Sequence, residues 1–396
     1  MNANYMHSTS QKREYKMLPN FYSNDTRKGF HWPGRIVHGA GCIAMLESIL
    51  RQSDNILFVI DVALSLDKFQ TIQYKEIYRV SGEPNSNARA ELIALTIHKK
   101  FDIVIAIGGG STIDLAKMIT DHIRHPDGFI QDREQNNTSP QLIAIPTLNG
   151  SGSETSRFFI VSNEHNCKVS YRAWSNVPNL SLIDPNLIIS AGRDRIIMGA
   201  FDNFVHLWET LICKYERNQL TSMSACMHIP ELIETVHKIS NSKTIEIDDV
   251  EKLALSSAAG GISISNVRTG LIHTLGESLS AQTSLPHPLT LLVFFRSVMK
   301  SYQNEVNECW LELKQNLDVK TTFNKDWQFD DLINFWIYTL STLNCAELIK
   351  KNMKLNVDEN LILNSVKNDT VLVKENPGVM STSSILTIIR ESISDI

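Results

Sequence analysis

Residues 103–119 read IVIAIGGGSTIDLAKMI, and this stretch decides the fold class. Its first residues, Ile103–Ile107, are apolar and mostly β-branched, which is typical of a strand buried on both faces in a parallel sheet. Three glycines and Ser111 follow, and Thr112–Ile119 then has helical spacing. This order of elements exposes backbone N–H groups to a ligand, and the helix dipole favours phosphate there. The spacing matches neither the G-x-G-x-x-G nor the P-loop pattern, so a tight turn without a ligand is the alternative.

Two further apolar runs lie on either side of this strand in the sequence. Ile56–Ile60 precedes it, and Leu142–Ile145 follows it. Between the first two runs, Asn85–Lys100 has apolar residues at helical spacing, which completes a strand–helix–strand unit. The first half of the chain is therefore predicted to be an α/β domain built on a parallel sheet.

Polar residues follow two of these strands. Asp61 ends the first, where a carboxylate can accept hydrogen bonds from a ribose diol and repel a 2′-phosphate. A helix N-cap or a solvated turn residue is an equal alternative for Asp61. Pro146–Glu154 follows the third strand, and its hydroxyls and glycines suit phosphate or ribose contact. Many surface loops have this composition, so the segment is a weak signal on its own.

The apolar pattern changes after Asp184. Apolar residues then recur every three or four positions, which predicts an α-helical second domain joined near Pro185. The segments with this spacing are 198–216, 222–240, 250–262, 286–302 and 329–350. We predict a flexible N-terminal tail over residues 1–20, an α/β dinucleotide-binding domain over 21–185, and a helical metal- and substrate-binding domain over 186–396.

Residues of the helical half form a candidate metal site. Asp202 and His206 are spaced i, i+4, so both side chains leave one face of a helix, and Glu209 follows on that face. His273 and His287 come later in the chain. One carboxylate and three imidazoles make a mixed oxygen and nitrogen set that suits Fe²⁺ or Zn²⁺. Each residue also has a simpler interpretation. Asp202 and His206 could be an exposed i, i+4 pair, His273 could be a buried core histidine, and His287 could be a loop histidine.

Composition argues against several classes of partner. The formal net charge is −5 and there is no basic tract, so neither nucleic acid nor an anionic membrane surface is expected as a partner. No apolar run approaches the roughly 20 residues that span a bilayer. The six cysteines lie far apart and form no C-x-x-C pair. This spacing predicts neither a zinc knuckle nor a disulfide framework, and it fits a reducing cytoplasm.

These motifs, in this order, resemble those of the iron-containing, or group III, alcohol dehydrogenases. Gly108–Lys117 looks like the family's GGGSxxDxAK loop, and Ile145–Glu154 looks like its PTTAGTGSE loop. Ala200–Glu209 is similar to its DxxxHxxE helix, and Gly270–His287 is similar to its GLxHxxxHxLGxxxxxPH segment. Each motif alone is a weak signal, whereas the ordered set of motifs is specific to the family.

The resemblance implies an architecture like that of dehydroquinate synthase. An N-terminal α/β nucleotide-binding domain and an all-α C-terminal metal-binding domain would enclose the active site between them. Fe²⁺, or Zn²⁺ as the alternative, would bind to Asp202, His206, His273 and His287. Asp61 lies where the family has an acidic residue that favours NAD over NADP. The cofactor contacts implied by the resemblance are Asp61, Gly109, Gly110, Ser111, Asp114, Thr147, Ser151 and Lys168.

The activity implied by the resemblance is hydride transfer between NAD(H) and a small alcohol or aldehyde, in a homodimer or larger assembly. Glu277 replaces the family histidine that is linked to proton relay. Glu277 could take the proton role, bind a cationic substrate, or reflect a changed pocket. Arg157 and Arg268 could line the cleft and pair with an anionic substrate, or lie on the surface. The alternatives are a specialised biosynthetic reductase of a phosphonate- or amine-bearing aldehyde, and a non-catalytic cofactor-binding homologue.

Overall fold

The structure is a computed structural model, and the residues that it describes are 29–52, 54–65, 67–82, 84–126, 128–135, 138–162, 168–343, 345–353, 357–378 and 381–394. The tail proposed for residues 1–20 lies outside the described residues. None of the helices in these ranges is both long enough and apolar enough to span a lipid bilayer.

The N-terminal half is built from strands that alternate with helices. The strands are β1 Ile36–His38, β2 Ile56–Asp61, β3 Glu76–Val80, β4 Ile103–Gly108, β5 Gln141–Pro146, β6 Phe158–Ser162, β7 Lys168–Arg172 and β8 Leu180–Ile183. The helices of this half are α1 Leu46–Ile49, α2 Ser86–Thr96, α3 Gly110–Arg124 and α4 Pro185–Ile188.

Six of these strands form one parallel sheet, in the order β1-β8-β5-β4-β2-β3. The three apolar runs of the sequence are β2, β4 and β5, which lie next to one another with most of their residues fully buried. Gly108 pairs with Pro146, so the glycine turn and the second loop leave the sheet side by side at its carboxyl edge. The prediction of an α/β domain with a parallel sheet is confirmed.

Strands β6 and β7 form a separate antiparallel hairpin, which the apolar pattern does not predict. β6 alternates between buried and half-buried residues over a short length, so its periodicity is a weak signal. Asp114 of α3 holds this hairpin, because its Oδ2 accepts a hydrogen bond from the N–H of Ile160 at 2.9 Å. Lys168 begins β7, and its Nζ donates to Ser280 Oγ in the helical half at 2.9 Å.

The C-terminal half is helical, as predicted. Its helices are α5 Arg193–Ile212, α6 Gln219–Asn241, α7 Ile247–Asn266, α8 Leu271–Ser280, α9 His287–Tyr302, α10 Asn307–Lys320, α11 Phe329–Ser341, α12 Cys345–Met353, α13 Glu359–Asn368, α14 Thr370–Glu375 and α15 Thr382–Ser394. Helix α5 is buried along nearly its whole length and packs against α6, α7 and α9. The side chains of α5 therefore occupy the centre of one large apolar core.

Two of the segments with helical spacing differ from the observed helices in a way that tertiary contacts explain. The segment 329–350 is two helices, α11 and α12, and its apolar spacing continues across the break because both helices bury one face on the same core. The helix predicted over 198–216 ends at Ile212. It ends there because Glu375 Oε2 accepts hydrogen bonds from the N–H groups of Tyr215 and Glu216, both at 2.9 Å.

The second loop, Pro146–Glu154, contacts the helical half through its backbone. A Cβ on Gly150 would lie 2.6 Å from Gly199 O in α5, and a Cβ on Gly152 would lie 2.6 Å from Gly261 Cα in α7. Both loop glycines also have positive φ values, 125° and 61°. These glycines are therefore required by close packing of the loop on two helices, a role that the composition of the loop does not reveal.

Candidate active site

Four predicted metal ligands converge at the point where three helices meet. Asp202 and His206 lie on α5, His273 on α8, and His287 begins α9. From Asp202 Oδ1, the Nε2 atoms of His206, His273 and His287 lie at 3.9, 3.5 and 3.6 Å. The ligand atoms of Asp202, His206 and His273 all lie within 4.8 Å of one another, close enough to share one ion. The structure therefore brings Asp202, His206 and His273 into one ion-sized cluster, and His287 faces the carboxylate of that cluster at 3.6 Å.

Two of the histidines are oriented by hydrogen bonds on their outer nitrogens. His206 Nδ1 lies 3.2 Å from Gly150 O, and His273 Nδ1 lies 2.7 Å from Glu209 Oε2. Because a carbonyl and a carboxylate only accept hydrogen bonds, Nδ1 is the donor in both rings. In a neutral imidazole the lone pair is then on Nε2, which points to the shared centre.

The centre of the site has unmet hydrogen-bonding capacity. Asp202 Oδ1 and His273 Nε2 are buried and have no hydrogen-bond partner within the described ranges. Buried polar atoms without a partner are rare in folded proteins because they lose the hydrogen bonds that water would supply. A divalent cation would satisfy both atoms, so the residues present fit Fe²⁺ or Zn²⁺.

The charges of the site favour a cation in the same way. Burial disfavours the ionised form of Asp202, but the three neighbouring histidines outweigh it and hold the pKa of Asp202 well below its usual range. Burial lowers the pKa of His206 to about 4 and that of His287 to about 3, so both rings are neutral near pH 7. Burial also acts on His273, but the Glu209 and Asp202 carboxylates raise its pKa to about 10. The site thus attracts positive charge.

The glycine turn lies directly against the second loop. Helix α3 begins at Gly110, and a Cβ on Gly110 would lie 2.8 Å from Ser151 Oγ. A Cβ on Gly109 would lie 3.0 Å from Leu148 Cδ1, and the N–H of Thr147 donates to Gly108 O at 3.0 Å. Since Gly150 O of the same loop faces His206, one loop contacts both the glycine turn and the candidate metal site.

Asp61 and Asp114 both make hydrogen bonds within the protein. Asp61 stands at the end of β2, where its Oδ1 accepts from the N–H of Ala63 at 2.8 Å, as a turn residue does. Asp114 Oδ1 accepts from Ser153 Oγ at 2.5 Å. Together with its bond to the β6 hairpin, this makes Asp114 an anchor between α3 and the segments that follow it. Its role as a cofactor contact remains a prediction.

Glu277 lies one helical turn after His273 on α8 and is half-buried. Its carboxylate makes no hydrogen bond with any residue in the described part of the chain. Burial raises the pKa of Glu277, while the charges of His273 and Lys168 oppose that shift. An acceptor that no described residue satisfies, next to the candidate ligands, is suited to a proton or a polar group of a ligand.

The two arginines proposed to line the cleft each lie within 4 Å of a carboxylate in the structure. Arg157 is buried, so a surface position is wrong for it; its Nη1 donates to Asp132 at 2.9 Å, and its guanidinium lies 4.5 Å from the centre of the Trp174 ring. Arg268 Nη1 lies 3.6 Å from Asp369 Oδ1. Neither arginine therefore supplies a simple argument for an anionic substrate.

Two buried charged residues near the loops are not singled out by the sequence analysis. Lys117 is fully buried, and its Nζ donates to Ser156 O and Phe158 O at 2.8 and 2.7 Å. Burial lowers the pKa of Lys117 to about 8, and burial raises the pKa of Glu154 to about 7. Both belong to the motifs quoted above, but only tertiary contacts reveal that Lys117 fixes the segment that follows the second loop.

Family models match most of the chain. The model described as iron-containing alcohol dehydrogenase matches residues 33–185, and that of the C-terminal part of the Fe-containing alcohol dehydrogenase family matches residues 196–393. The chain is 33% identical over 153 residues to the mitochondrial hydroxyacid-oxoacid transhydrogenase of Caenorhabditis elegans, covering 36% of this chain and 33% of that protein. It is 26% identical over 287 residues to an alcohol dehydrogenase of Thermococcus barophilus, covering 67% of this chain and 74% of that one.

Solved structures share the fold. The iron-containing alcohol dehydrogenase of Thermococcus thioreducens superposes with a TM-score of 0.76 at 18% identity, covering 93% of this chain and 100% of that one. An alcohol dehydrogenase from Oenococcus oeni superposes with a TM-score of 0.77 at 20% identity, covering 92% and 100%. Together the two family models span nearly all of residues 33–393. This chain belongs to the iron-containing alcohol dehydrogenase family.

Proposed function

We propose that this chain is a metal-dependent oxidoreductase that transfers hydride between NAD(H) and an alcohol/aldehyde pair. The observation that carries this proposal is the convergence of Asp202, His206, His273 and His287. Within it, Asp202 Oδ1 and His273 Nε2 have no hydrogen-bond partner among the described residues. The second loop supports it, because this loop touches both that cluster and the glycine turn at the N-terminus of α3. A cytoplasmic location and a homo-oligomer remain predictions.

Each part of the site has one task in this proposal. A bound Fe²⁺ or Zn²⁺ would act as a Lewis acid on the substrate oxygen, and a bound nicotinamide would accept or donate the hydride. The four ligand residues would hold the ion at the junction of α5, α8 and α9. Gly109, Gly110 and Ser111 offer backbone N–H groups to the cofactor phosphates, and Thr147, Ser151 and Lys168 complete the cofactor side of the site.

Glu277 is the proposed proton acceptor of alcohol oxidation. Removing hydride from an alcohol carbon also releases the hydroxyl proton, and the Glu277 carboxylate would take it and pass it to solvent. In aldehyde reduction the same carboxyl group, protonated, would return a proton to the oxygen. The position suits this role, because Glu277 is half-buried next to His273 and its pKa is raised by burial.

We expect Glu277→Gln to lower kcat for alcohol oxidation by about 10²–10³-fold, the usual range for loss of an acid–base group. In the unsubstituted protein, oxidation should rise with pH through the raised pKa of Glu277, because only the ionised carboxylate accepts a proton. That rise should vanish in the variant. Glu277→His, which restores the family residue, should retain most activity, and exposed Glu347→Gln is the matched control. An unchanged pH profile in Glu277→Gln would remove Glu277 from this role.

We expect Asp61→Gly to weaken the preference for NADH. The ratio of the Kd for NADPH to the Kd for NADH should fall by at least 10-fold, or about 1.4 kcal/mol. The carboxylate at the end of β2 would repel a 2′-phosphate, and glycine removes this repulsion. The measurement is the Kd of each cofactor by fluorescence titration, with exposed Asp67→Gly as the control. If the ratio of the two Kd values stays the same, Asp61 is only the turn residue that its bond to Ala63 indicates.

A second candidate function is reduction of a specialised aldehyde that carries an amine. The specific observation in its favour is the half-buried Glu277 carboxylate, which no described residue satisfies and which an ammonium group could pair with. A panel of neutral, cationic and anionic aldehydes, assayed with NADH and with Fe²⁺ or Zn²⁺, separates the two functions. A preference for the cationic aldehyde that disappears in Glu277→Gln would support the specialised reductase. Equal rates across the panel would support simple alcohols.

A further inference from the structure

Glu209 is a buried carboxylate on α5, two helical turns after Asp202. It accepts three hydrogen bonds, all from the segment that carries His273. Its Oε2 accepts from the N–H of Gly270 and from His273 Nδ1, and its Oε1 accepts from the N–H of Ile272, each at 2.7 Å. One side chain of α5 therefore binds both the beginning of α8 and the ring of a candidate metal ligand.

The backbone bonds of Glu209 cap helix α8. Gly270 is the N-cap of α8 and makes no side-chain cap bond of its own, so Glu209 supplies the negative charge that the helix N-terminus favours. A Cβ on Gly270 would lie 3.0 Å from Glu209 Cδ and Oε1. The glycine thus allows the carboxylate to approach the backbone closely, and the carboxylate fixes where α8 begins.

The hydrogen bond from His273 Nδ1 to Glu209 selects the tautomer of His273. As long as the carboxylate accepts from Nδ1, the neutral ring carries its proton there and has its lone pair on Nε2. His273 Nε2 lies 3.5 Å from Asp202 Oδ1 and has no hydrogen-bond partner within the described residues. The orientation of the ring and the availability of its ligand atom therefore depend on the same carboxylate.

We propose that Glu209 is a positioning residue of the metal centre, which holds His273 in the metal-binding tautomer and ties it to the start of α8. The proposal rests on the metal site of the proposed function. It requires only that a metal binds at the four ligands, and it holds whatever the substrate or the cofactor is.

Glu209→Gln tests this proposal, because the amide keeps the size of the carboxylate but has only one accepting atom. Three donors face this side chain, so an amide N–H₂ group must face one of them. If it faces His273, Nδ1 becomes an acceptor and the proton moves to Nε2, which can then no longer bind a metal. We expect the Kd for Zn²⁺ or Co²⁺ to weaken by about 10–100-fold. Glu209→Asp keeps both accepting oxygens at shorter reach and should weaken binding less.

Glu375→Gln is the matched control. Glu375 is also buried and also accepts three hydrogen bonds, from Cys213 Sγ and the N–H groups of Tyr215 and Glu216, but it contacts no candidate ligand. Its variant should lower the Tm of the metal-free protein and leave the metal Kd unchanged. Metal titration of metal-free protein gives the Kd, and the visible spectrum of the Co²⁺ form reports the ligand geometry, both without substrate or NAD(H).

The results separate the two proposals. If the unsubstituted protein binds no divalent metal at these residues, the proposed function fails. If it binds metal and Glu209→Gln binds equally well while its Tm falls, as in Glu375→Gln, Glu209 is only a helix cap and this inference is overturned. Should Glu209→Gln not fold, the Kd and Co²⁺ spectrum of Glu209→Asp decide, and values equal to those of the unsubstituted protein would overturn the inference.

Discussion

Asp202→Asn should abolish metal retention and reduce turnover by at least about 10³-fold. Asp202 Oδ1 is the atom that all three histidines face, at 3.5–3.9 Å, so its charge holds the centre together. Asparagine has nearly the same shape but no charge, and its N–H₂ group would face imidazole nitrogens. Loss of a Lewis acid removes several kcal/mol of transition-state stabilisation, and about 4 kcal/mol corresponds to the stated factor.

The experiment compares metal content with activity in the same sample. Protein purified without oxygen is analysed for iron and zinc, and turnover is followed by NADH absorbance with an alcohol. Exposed Asp330→Asn, which lies at the start of α11 far from the ligands in sequence, is the control and should retain both properties. Because the substitution is nearly isosteric, circular dichroism should show an unchanged helix content.

A particular result would contradict the ligand assignment. If Asp202→Asn retains the metal content of the unsubstituted protein, the carboxylate is not a ligand. His273→Ala then provides an independent check, because it removes a different candidate ligand of the same centre. This variant should also lose metal and turnover together. If both variants keep their metal and their turnover, the metal is bound elsewhere, and the cluster of Asp202, His206 and His273 holds no ion.

The sequence predicts the centre of the sheet better than its edges. β2, β4 and β5 are buried on both faces, so their residues are apolar without interruption and can be recognised as strands. β1 is an edge strand of three half-buried or exposed residues, and its sequence carries no such signal. The hairpin of β6 and β7 is likewise partly exposed, and its position depends on Asp114 and other tertiary contacts.

The sequence likewise predicts only some features of the candidate site. The i, i+4 spacing of Asp202 and His206 follows from helix geometry, so the sequence alone places them on one face. Their convergence with His273 and His287 depends on the packing of three helices, and only the family resemblance suggested it. The bonds of Glu209 could not be predicted from its position on α5, because its three donors lie more than 60 residues further along the chain.

The glycines of the second loop also have a packing role that the sequence does not reveal. The composition of this loop suggested contact with phosphate or ribose, yet Gly150 and Gly152 face the backbone of α5 and α7. Close approach of backbone to backbone depends on both partners, and the partner glycines, Gly199 and Gly261, lie far away in the sequence. Such a contact leaves no local periodicity, so only the folded structure reveals it.

Gly261→Ala should therefore destabilise the protein strongly. A Cβ on Gly261 would overlap Gly152 O and Thr155 Oγ1, and the first of these is a backbone atom that cannot rotate away. The overlap would also disturb the 2.7 Å hydrogen bond from Thr155 Oγ1 to Ala258 O. Overpacking costs about 1–3 kcal/mol, and the disturbed hydrogen bond adds about 1 kcal/mol. Alanine returns about 1 kcal/mol through its better helix propensity, so a net loss of about 1–3 kcal/mol remains.

Thermal unfolding of the metal-free protein measures this effect. In a chain of 396 residues, a loss of this size should lower the Tm by about 1–4 °C. Gly378→Ala is the control, because a Cβ there meets Tyr302 only at 3.7 Å, an ordinary contact distance, and its Tm should change by about 1 °C or less. The metal Kd should weaken as well, since the displaced loop carries Gly150 O, which orients His206. If Gly261→Ala instead keeps the Tm of the unsubstituted protein, the loop and α7 can separate at no cost. Close backbone contact could then not be what holds the glycine turn next to the metal ligands.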